Sequence, residues 1–208
     1  MRHTLIVICV FMFVVAAVAQ EAPVRPKHKR SGGAAVSLPS TKQSPEMKKM
    51  IDSFSGHWKT TTTFDKNEWF PQAGTYHGRA SLEAGPAGNS LRERHMTKAN
   101  FAGFGLYWYD PMAKSYTGVW CDTMDPRGCG NVGTGNWQGD NFVLNNEMDM
   151  GQQGKMKVRE TFSNITRDSY DFMIESSMGD APMKKMMSIK YERMSASTKG
   201  SPATQSGN

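Results

Sequence analysis

Two cysteines, a few histidines and an excess of methionine and aromatic side chains are where chemistry could reside in this sequence. Cys121 and Cys129 stand eight positions apart across Asp122-Thr123-Met124-Asp125-Pro126-Arg127-Gly128. Pro126 and Gly128 let the chain turn back, and a bridge needs Cα atoms within about 7 Å. In an oxidising compartment such a pair reads as a disulfide, with two free thiols as the alternative. Beyond the first twenty residues the histidines are His28, His57, His77 and His95. A metal site wants two or three histidines at fixed spacing together with carboxylates or thiolates. His77 and His95 fall on neighbouring expected strands, and isolated histidines of this kind usually sit at a surface or pocket rim. No metal is assigned to them.

Methionine is abundant, with Met148, Met150, Met183, Met186 and Met187 in the second half. Clustered thioethers in an exported protein raise the question of Cu(I). Flexible core filler or an adaptable pocket lining is the ordinary use of this side chain. Met148 and Met150 share one side of an expected strand, and Met183 and Met187 share one side of another, as an interior face requires. Asp122, Glu147 and Glu160 have no spacing that marks a glycosidase pair, and are expected on the solvent face or in ion pairs. No Ser-His-Asp motif is visible. Gly128-Cys129-Gly130 and Gly133-x-Gly135 precede strand rather than helix, which excludes a phosphate loop. The residues thus nominate no catalytic group and no cofactor. The aromatic residues Trp58, Tyr76, Tyr107, Trp108, Tyr109, Tyr116, Trp120 and Trp137 remain. Tyr and Trp join an apolar body to a polar tip, which suits a small-molecule cavity in a barrel mouth and equally a filled core. Trp58, Tyr76, Tyr107, Tyr109, Trp120, Met148 and Met150 are the candidate ligand-binding residues.

The elements that must position them follow from periodicity. Ser44 can cap a helix and Pro45 fits its first turn. Met47, Met50, Ile51 and Phe54 then fall on one stripe, and Gly56 ends it. From Gly56 onward the period is two. Trp58, Thr60, Thr62 and Phe64 share a face, and Tyr76, Ala80 and Leu82 share another. Further alternating runs cover 90–98, 103–109, 115–123, 133–138, 141–150, 155–163, 169–177 and 183–193, separated by turn residues such as Gly139-Asp140. No long helical pattern interrupts them, which excludes β-α-β crossovers. The expectation is an all-β fold: a single antiparallel, lipocalin/calycin-like barrel of nine or ten strands preceded by one short helix. Closure removes the edges that a meander of this length would expose. A two-sheet sandwich is the alternative.

Domain organisation follows from composition. Met1-Arg2-His3 and the apolar run Thr4 to Val18, ending in Ala17-Val18-Ala19, read as a signal peptide at 1–19 cut after Ala19. The run is shorter than the roughly 20 residues of a spanning helix. A secreted or periplasmic location follows, with a permanent anchor as the alternative. Residues 20–44 form a basic leader poor in large apolar groups, 45–194 the β domain, and 195–208 a polar tail. The net charge of +6 is localised: residues 20–50 hold seven Lys/Arg against two Asp/Glu, and residues 51–194 hold sixteen against seventeen. Nucleic-acid binding by the domain therefore lacks electrostatic support. Arg25, Lys27, His28, Lys29 and Arg30 form either a solvated leader or a weak contact for anionic lipid or polymer.

Particular runs resemble a known family. Gly56-His57-Trp58 is similar to the Gly-x-Trp opening of lipocalin-like barrels, where the Trp plugs the closed end. Gly103-Phe104-Gly105-Leu106-Tyr107-Trp108-Tyr109-Asp110 and Tyr116-Thr117-Gly118-Val119-Trp120-Cys121-Asp122-Thr123-Met124 are more specific. With Lys157-Val158-Arg159-Glu160 and Ile189-Lys190-Tyr191-Glu192-Arg193, they resemble the secreted bacterial family catalogued as domain of unknown function 1579, over about residues 50–194. The resemblance implies a lipocalin-like or calycin-type β fold and no established activity. The cysteine pair and the methionine content depart from the family's usual pattern. A haem barrel related to nitrobindin also has the Gly-x-Trp opening, but needs an axial His on a late strand, and no His follows His95. The functional expectation is an exported barrel holding a small apolar ligand inside. The alternative is an envelope-associated structural or interaction protein tethered by its basic leader. An enzyme would require a carboxylate, His57 or His95, and an arginine to converge in one pocket.

Overall fold

The structure, a computed structural model, describes residues 42–67, 71–98, 101–125 and 128–195. The expected signal peptide, nearly all of the basic leader with residues 25–30, and the polar tail from 196 lie outside the described residues.

Helix α1 (Pro45–Phe54) begins where the cap was expected. The Ser44 hydroxyl accepts the Met47 N–H at 3.1 Å, and Pro45 opens the first turn. Met47, Met50 and Phe54 bury the apolar stripe. At its C-terminal end the Phe54 carbonyl, which has no partner within the helix, accepts the Trp58 indole N–H at 3.0 Å. That bond ties the helix to the first strand.

Ten strands follow: β1 (Gly56–Phe64), β2 (Gly74–Ala84), β3 (Leu91–Thr97), β4 (Ala102–Asp110), β5 (Ser115–Asp122), β6 (Asn131–Gln138), β7 (Asn141–Asp149), β8 (Lys155–Ser163), β9 (Ser169–Met178) and β10 (Lys184–Arg193). Each pairs antiparallel with its sequence neighbours, and β10 returns to β1, so the sheet closes into a barrel. The closing register sets Trp58 opposite Arg193, Thr60 opposite Tyr191 and Thr62 opposite Ile189. These strands match the period-two runs, and the sandwich alternative falls.

Alternating hairpins give the barrel two unlike ends. At one end α1 lies with the β2–β3, β4–β5, β6–β7 and β8–β9 connections. There the Phe54 ring meets Tyr170 at 5.1 Å, Phe162 at 5.2 Å and Trp137 at 5.9 Å. Trp58 is fully buried, edge-on to Tyr170 at 4.9 Å and beneath the Arg193 guanidinium at 4.1 Å. The other end carries the β1–β2, β3–β4, β5–β6, β7–β8 and β9–β10 connections. The Cys121–Cys129 disulfide, Cα atoms 4.1 Å apart, pins the β5–β6 loop there.

One expectation about faces needs correcting. Met183 precedes β10, and a bulge between Lys185 and Met187 breaks simple alternation in that strand. The inserted residue shifts the register by one, so Met186 and Met187 both border the interior, and Met183 does not join them.

Candidate ligand-binding cavity

Ten strands enclose more width than one helix and its aromatic cluster can fill. The half of the barrel away from α1 holds a cavity of about 600 Å³. Its wall is mostly apolar: Phe162 and Val158 from β8, Phe172 and Ile174 from β9, Ile189 from β10, and the thioethers of Met148, Met156, Met186 and Met187. Met124, Asp125 and Met150 border it at the looped end. Space for the larger rings comes from glycine on the inner face of β4. A Cβ at Gly103 would lie 2.4 Å from the Trp120 ring, and one at Gly105 would lie 2.9 Å from the Tyr107 ring. Both approaches are below van der Waals contact, so these rings occupy positions that any other residue would block.

A polar network lines the floor. Leu91, Glu93 and His95 alternate inward on β3, with Glu93 only 2% exposed. The Tyr107 hydroxyl donates to one Glu93 oxygen at 3.2 Å, and the Tyr191 hydroxyl donates to the other at 2.9 Å. His95 lies between Tyr191 (Nδ1 to hydroxyl, 3.4 Å) and Thr60 (Nε2 to hydroxyl, 3.2 Å). One arrangement satisfies this chain: Thr60 donates to Nε2, and the protonated Nδ1 donates to the Tyr191 oxygen, whose own proton goes to Glu93. It requires a neutral imidazole, and burial does hold His95 down, to about 4. Burial pushes Glu93 up to about 7, against the two tyrosine hydrogen bonds that favour its anion and with a smaller push from Glu160. The Tyr107 and Tyr191 phenols are raised well above their usual value, chiefly by burial.

Glu160 on β8 is a second inward carboxyl, 8% exposed and raised by its burial. The Asn131 amide donates to one of its oxygens at 2.7 Å, and Asn146 in turn donates to Asn131. This corrects the expectation that Glu160 faces solvent or joins an ion pair. Glu147 does pair, with Lys155 at 2.5 Å on the surface. Asp122 stands at the mouth and organises the β5–β6 loop. It accepts the Trp120 indole N–H at 2.8 Å and the backbone N–H groups of Met124 and Asp125 at 2.6 and 2.9 Å.

The family comparison covers residues 43–193, from the helix cap to the end of β10, and matches the family described as protein of unknown function (DUF1579). The chain belongs to the DUF1579 family. Among solved structures, this DUF1579 protein is similar to Rv2717c from M. tuberculosis, at 10% identity over 74% of this chain and 100% of that one, with a TM-score of 0.48. It is also similar to the S-type phycobiliprotein lyase CPES from Guillardia theta, at 12% identity over 73% and 94% of the two chains, TM-score 0.48. A de novo designed fluorescence-activating β-barrel gives 13% identity over 68% and 94%, TM-score 0.36. No curated protein matches the chain.

In this DUF1579 barrel the residues nominated from sequence divide into three groups. Tyr107, Trp120, Met148 and Met150 border the cavity together. Tyr76 shares the inner face but stands at the far end of its strand, 41% exposed, with its ring 5.8 Å from Phe64. Trp58 and Tyr109 belong to the filled end, where Tyr109 meets Tyr116 at 5.1 Å. His77 is exposed while His95 is buried, so the two histidines point to opposite faces. Among the described residues no group of three or more His, Cys, Asp or Glu is placed to hold a metal ion. Sequence reasoning missed Glu93. Its signal was the strict alternation of Leu91, Glu93 and His95 against Arg92 and Arg94, which turns one of the two sets inward.

Proposed function

We propose that this DUF1579 protein is exported, loses its N-terminal segment near Ala19, and binds a small, largely apolar molecule inside its barrel. The observation that carries the reading is the cavity of about 600 Å³, bordered by methionine and aromatic side chains and extending to the end loops. Ligand sites are concave, mostly apolar and of roughly 300–1,000 Å³, with few convergent polar groups to fix orientation. Glu93, Tyr107, Tyr191 and Glu160 are such groups. Thioether chains bend to fit different occupants, which suits a pocket of adaptable shape. The enzyme reading draws less support: Glu93 and His95 meet, but among the described residues no arginine borders the cavity with them. The tether reading depends on residues 25–30, outside the described residues.

A neutral environment-sensitive dye such as N-phenyl-1-naphthylamine, titrated into the purified mature protein, tests the binding. Saturable one-site fluorescence enhancement is expected. Ile174→Trp, which fills the cavity from β9, should abolish it while the circular dichroism spectrum stays that of a β-barrel. A folded wild type without saturable enhancement, or a variant that binds equally well, would overturn the reading. N-terminal sequencing of the protein recovered from an exporting host should begin at Gln20, and an intact Met1 would refute the cleavage.

A further inference from the structure

Among the described residues, the charged side chains bordering the cavity are acidic. Glu93 and Glu160 line its depth, and Asp122 and Asp149 line its mouth. Among the described residues bordering it there is no lysine, arginine or histidine. The inner carboxyls are held by neutral donors alone: two tyrosine hydroxyls on Glu93 and the Asn131 amide on Glu160. Three lysines of the looped end are paired elsewhere, Lys155 with Glu147 at 2.5 Å, Lys157 with Asp180 at 3.1 Å and Lys185 with Asp65 at 3.2 Å. Residues 51–194 hold sixteen Lys/Arg against seventeen Asp/Glu, so a nearly neutral domain gathers carboxyls at its cavity.

We infer that the cavity selects, among apolar molecules, those that carry a protonated amine, with Glu160 as the group that receives the ammonium. This rests on the ligand-binding reading and gives it a ligand class. The physical case has three parts. A carboxylate buried among methionine and aromatic side chains is costly unless an opposite charge joins it, and the described residues supply none at Glu160. Trp120, Phe162 and Phe172 add aromatic faces that attract a cation in a desolvated site. The carboxylates at the mouth sit on low-dielectric walls that focus their field outward, which enriches cations at the opening. A fatty acid, the other common amphiphile of this shape, would bring its carboxylate into the same field and be repelled.

Competition with the bound neutral dye at neutral pH, using decylamine, decanol and decanoate as a set matched in chain length, tests the inference. Decylamine should displace the dye at about tenfold lower concentration than decanol, the scale of one charge-assisted hydrogen bond in a buried site. Decanoate should be the weakest of the three. Glu160→Gln keeps the shape and the Asn131 contact but removes the charge, and should bring the amine-to-alcohol ratio close to one. Asp149→Asn keeps the oxygen that accepts the Gly151 N–H at 2.8 Å, and should lower the ratio by about twofold through the mouth field alone. Dye binding with no amine preference, with decanoate as the best competitor, or with a ratio unchanged in both variants overturns the inference and leaves the binding reading standing. A folded protein that does not bind the dye overturns both.

Discussion

Replacing Glu93 by glutamine should make the protein more stable, and only at pH values where the carboxyl would otherwise have to ionise. In the unfolded chain this carboxyl titrates near 4.5, whereas inside the barrel burial holds it at about 7. Below 4.5 both states carry the proton and the group contributes no pH dependence. Between 4.5 and about 7 the unfolded chain releases its proton while the folded chain keeps it, so stability falls as pH rises. Above about 7 both states are ionised and the loss is constant, roughly 3 kcal/mol from the separation of the two values. Glutamine never ionises, so the variant escapes this loss. It also incurs a fixed offset, because the amide can accept from only one of Tyr107 and Tyr191 through its oxygen; a disturbed hydrogen bond costs about 1 kcal/mol at every pH. His95 sharpens the test. Its folded value of about 4 lies below the usual 6.5, so its contribution is lost as pH falls from 6.5 towards 4, with the opposite slope. In the wild type the Glu93 and His95 slopes nearly cancel between 4.5 and 6.5, and Glu93→Gln removes the first and leaves the second. Urea titrations at constant m-value, run from pH 4 to pH 8, read the difference between variant and wild type. That difference should grow by about 3 kcal/mol and level off above about 7. A difference independent of pH would refute the assignment of a buried carboxyl kept protonated by its surroundings.

Two further changes probe the frame around the cavity. Trp58→Ala removes a fully buried ring, its bond to the Phe54 carbonyl and its packing on Tyr170; a loss of about 3–5 kcal/mol is expected in the same titrations, and a loss under about 1 kcal/mol would show that the helix does not depend on this plug. Replacing both Cys121 and Cys129 by serine opens the short loop they close across eight positions and should cost about 2–3 kcal/mol; a thiol assay without reductant should find none in the exported wild type, and two titratable thiols would remove the bridge.

The strand layout of this barrel was legible because its turns are marked and its strands alternate without interruption. Ser44, Pro45 and the Met47-Met50-Phe54 stripe announced the helix, and the runs from Gly56 to Arg193 announced each strand within a residue or two of its observed bounds. Alternation says which residues share a face. It does not say how deep along the barrel axis each residue sits. Trp58, Tyr109, Tyr107, Trp120 and Tyr76 are alike by that measure, yet the first two belong to the filled end, the next two to the cavity wall and the last to the rim. Nor does alternation choose the inward face of a strand such as Leu91–Thr97, where both faces carry charge. The ladder decides it, because Glu93 stands opposite Gly105 and Leu82, and a small and an apolar neighbour mark the inner face.

Depth is also what separates the filled end of this barrel from its open half. The helix delivers three buried side chains, Met47, Met50 and Phe54, to one end only. The aromatic cluster that receives them, built on Trp58, Phe142, Phe162 and Tyr170, closes that end as a conventional core. Beyond it the chain turns to glycine on the inner face of β4, where a side chain would have occupied the lumen, and to flexible methionines on β7, β8 and β10. A barrel meant only to be stable would fill this half with branched apolar residues and would leave no carboxyl there, since an ionisable group in such a place costs stability. Glu93 and Glu160 incur that cost in the half of the barrel that is left open. Stability is given up in the half where the proposed ligand would sit, and the cavity, its polar floor and its inward carboxyls are the features on which the binding proposal draws.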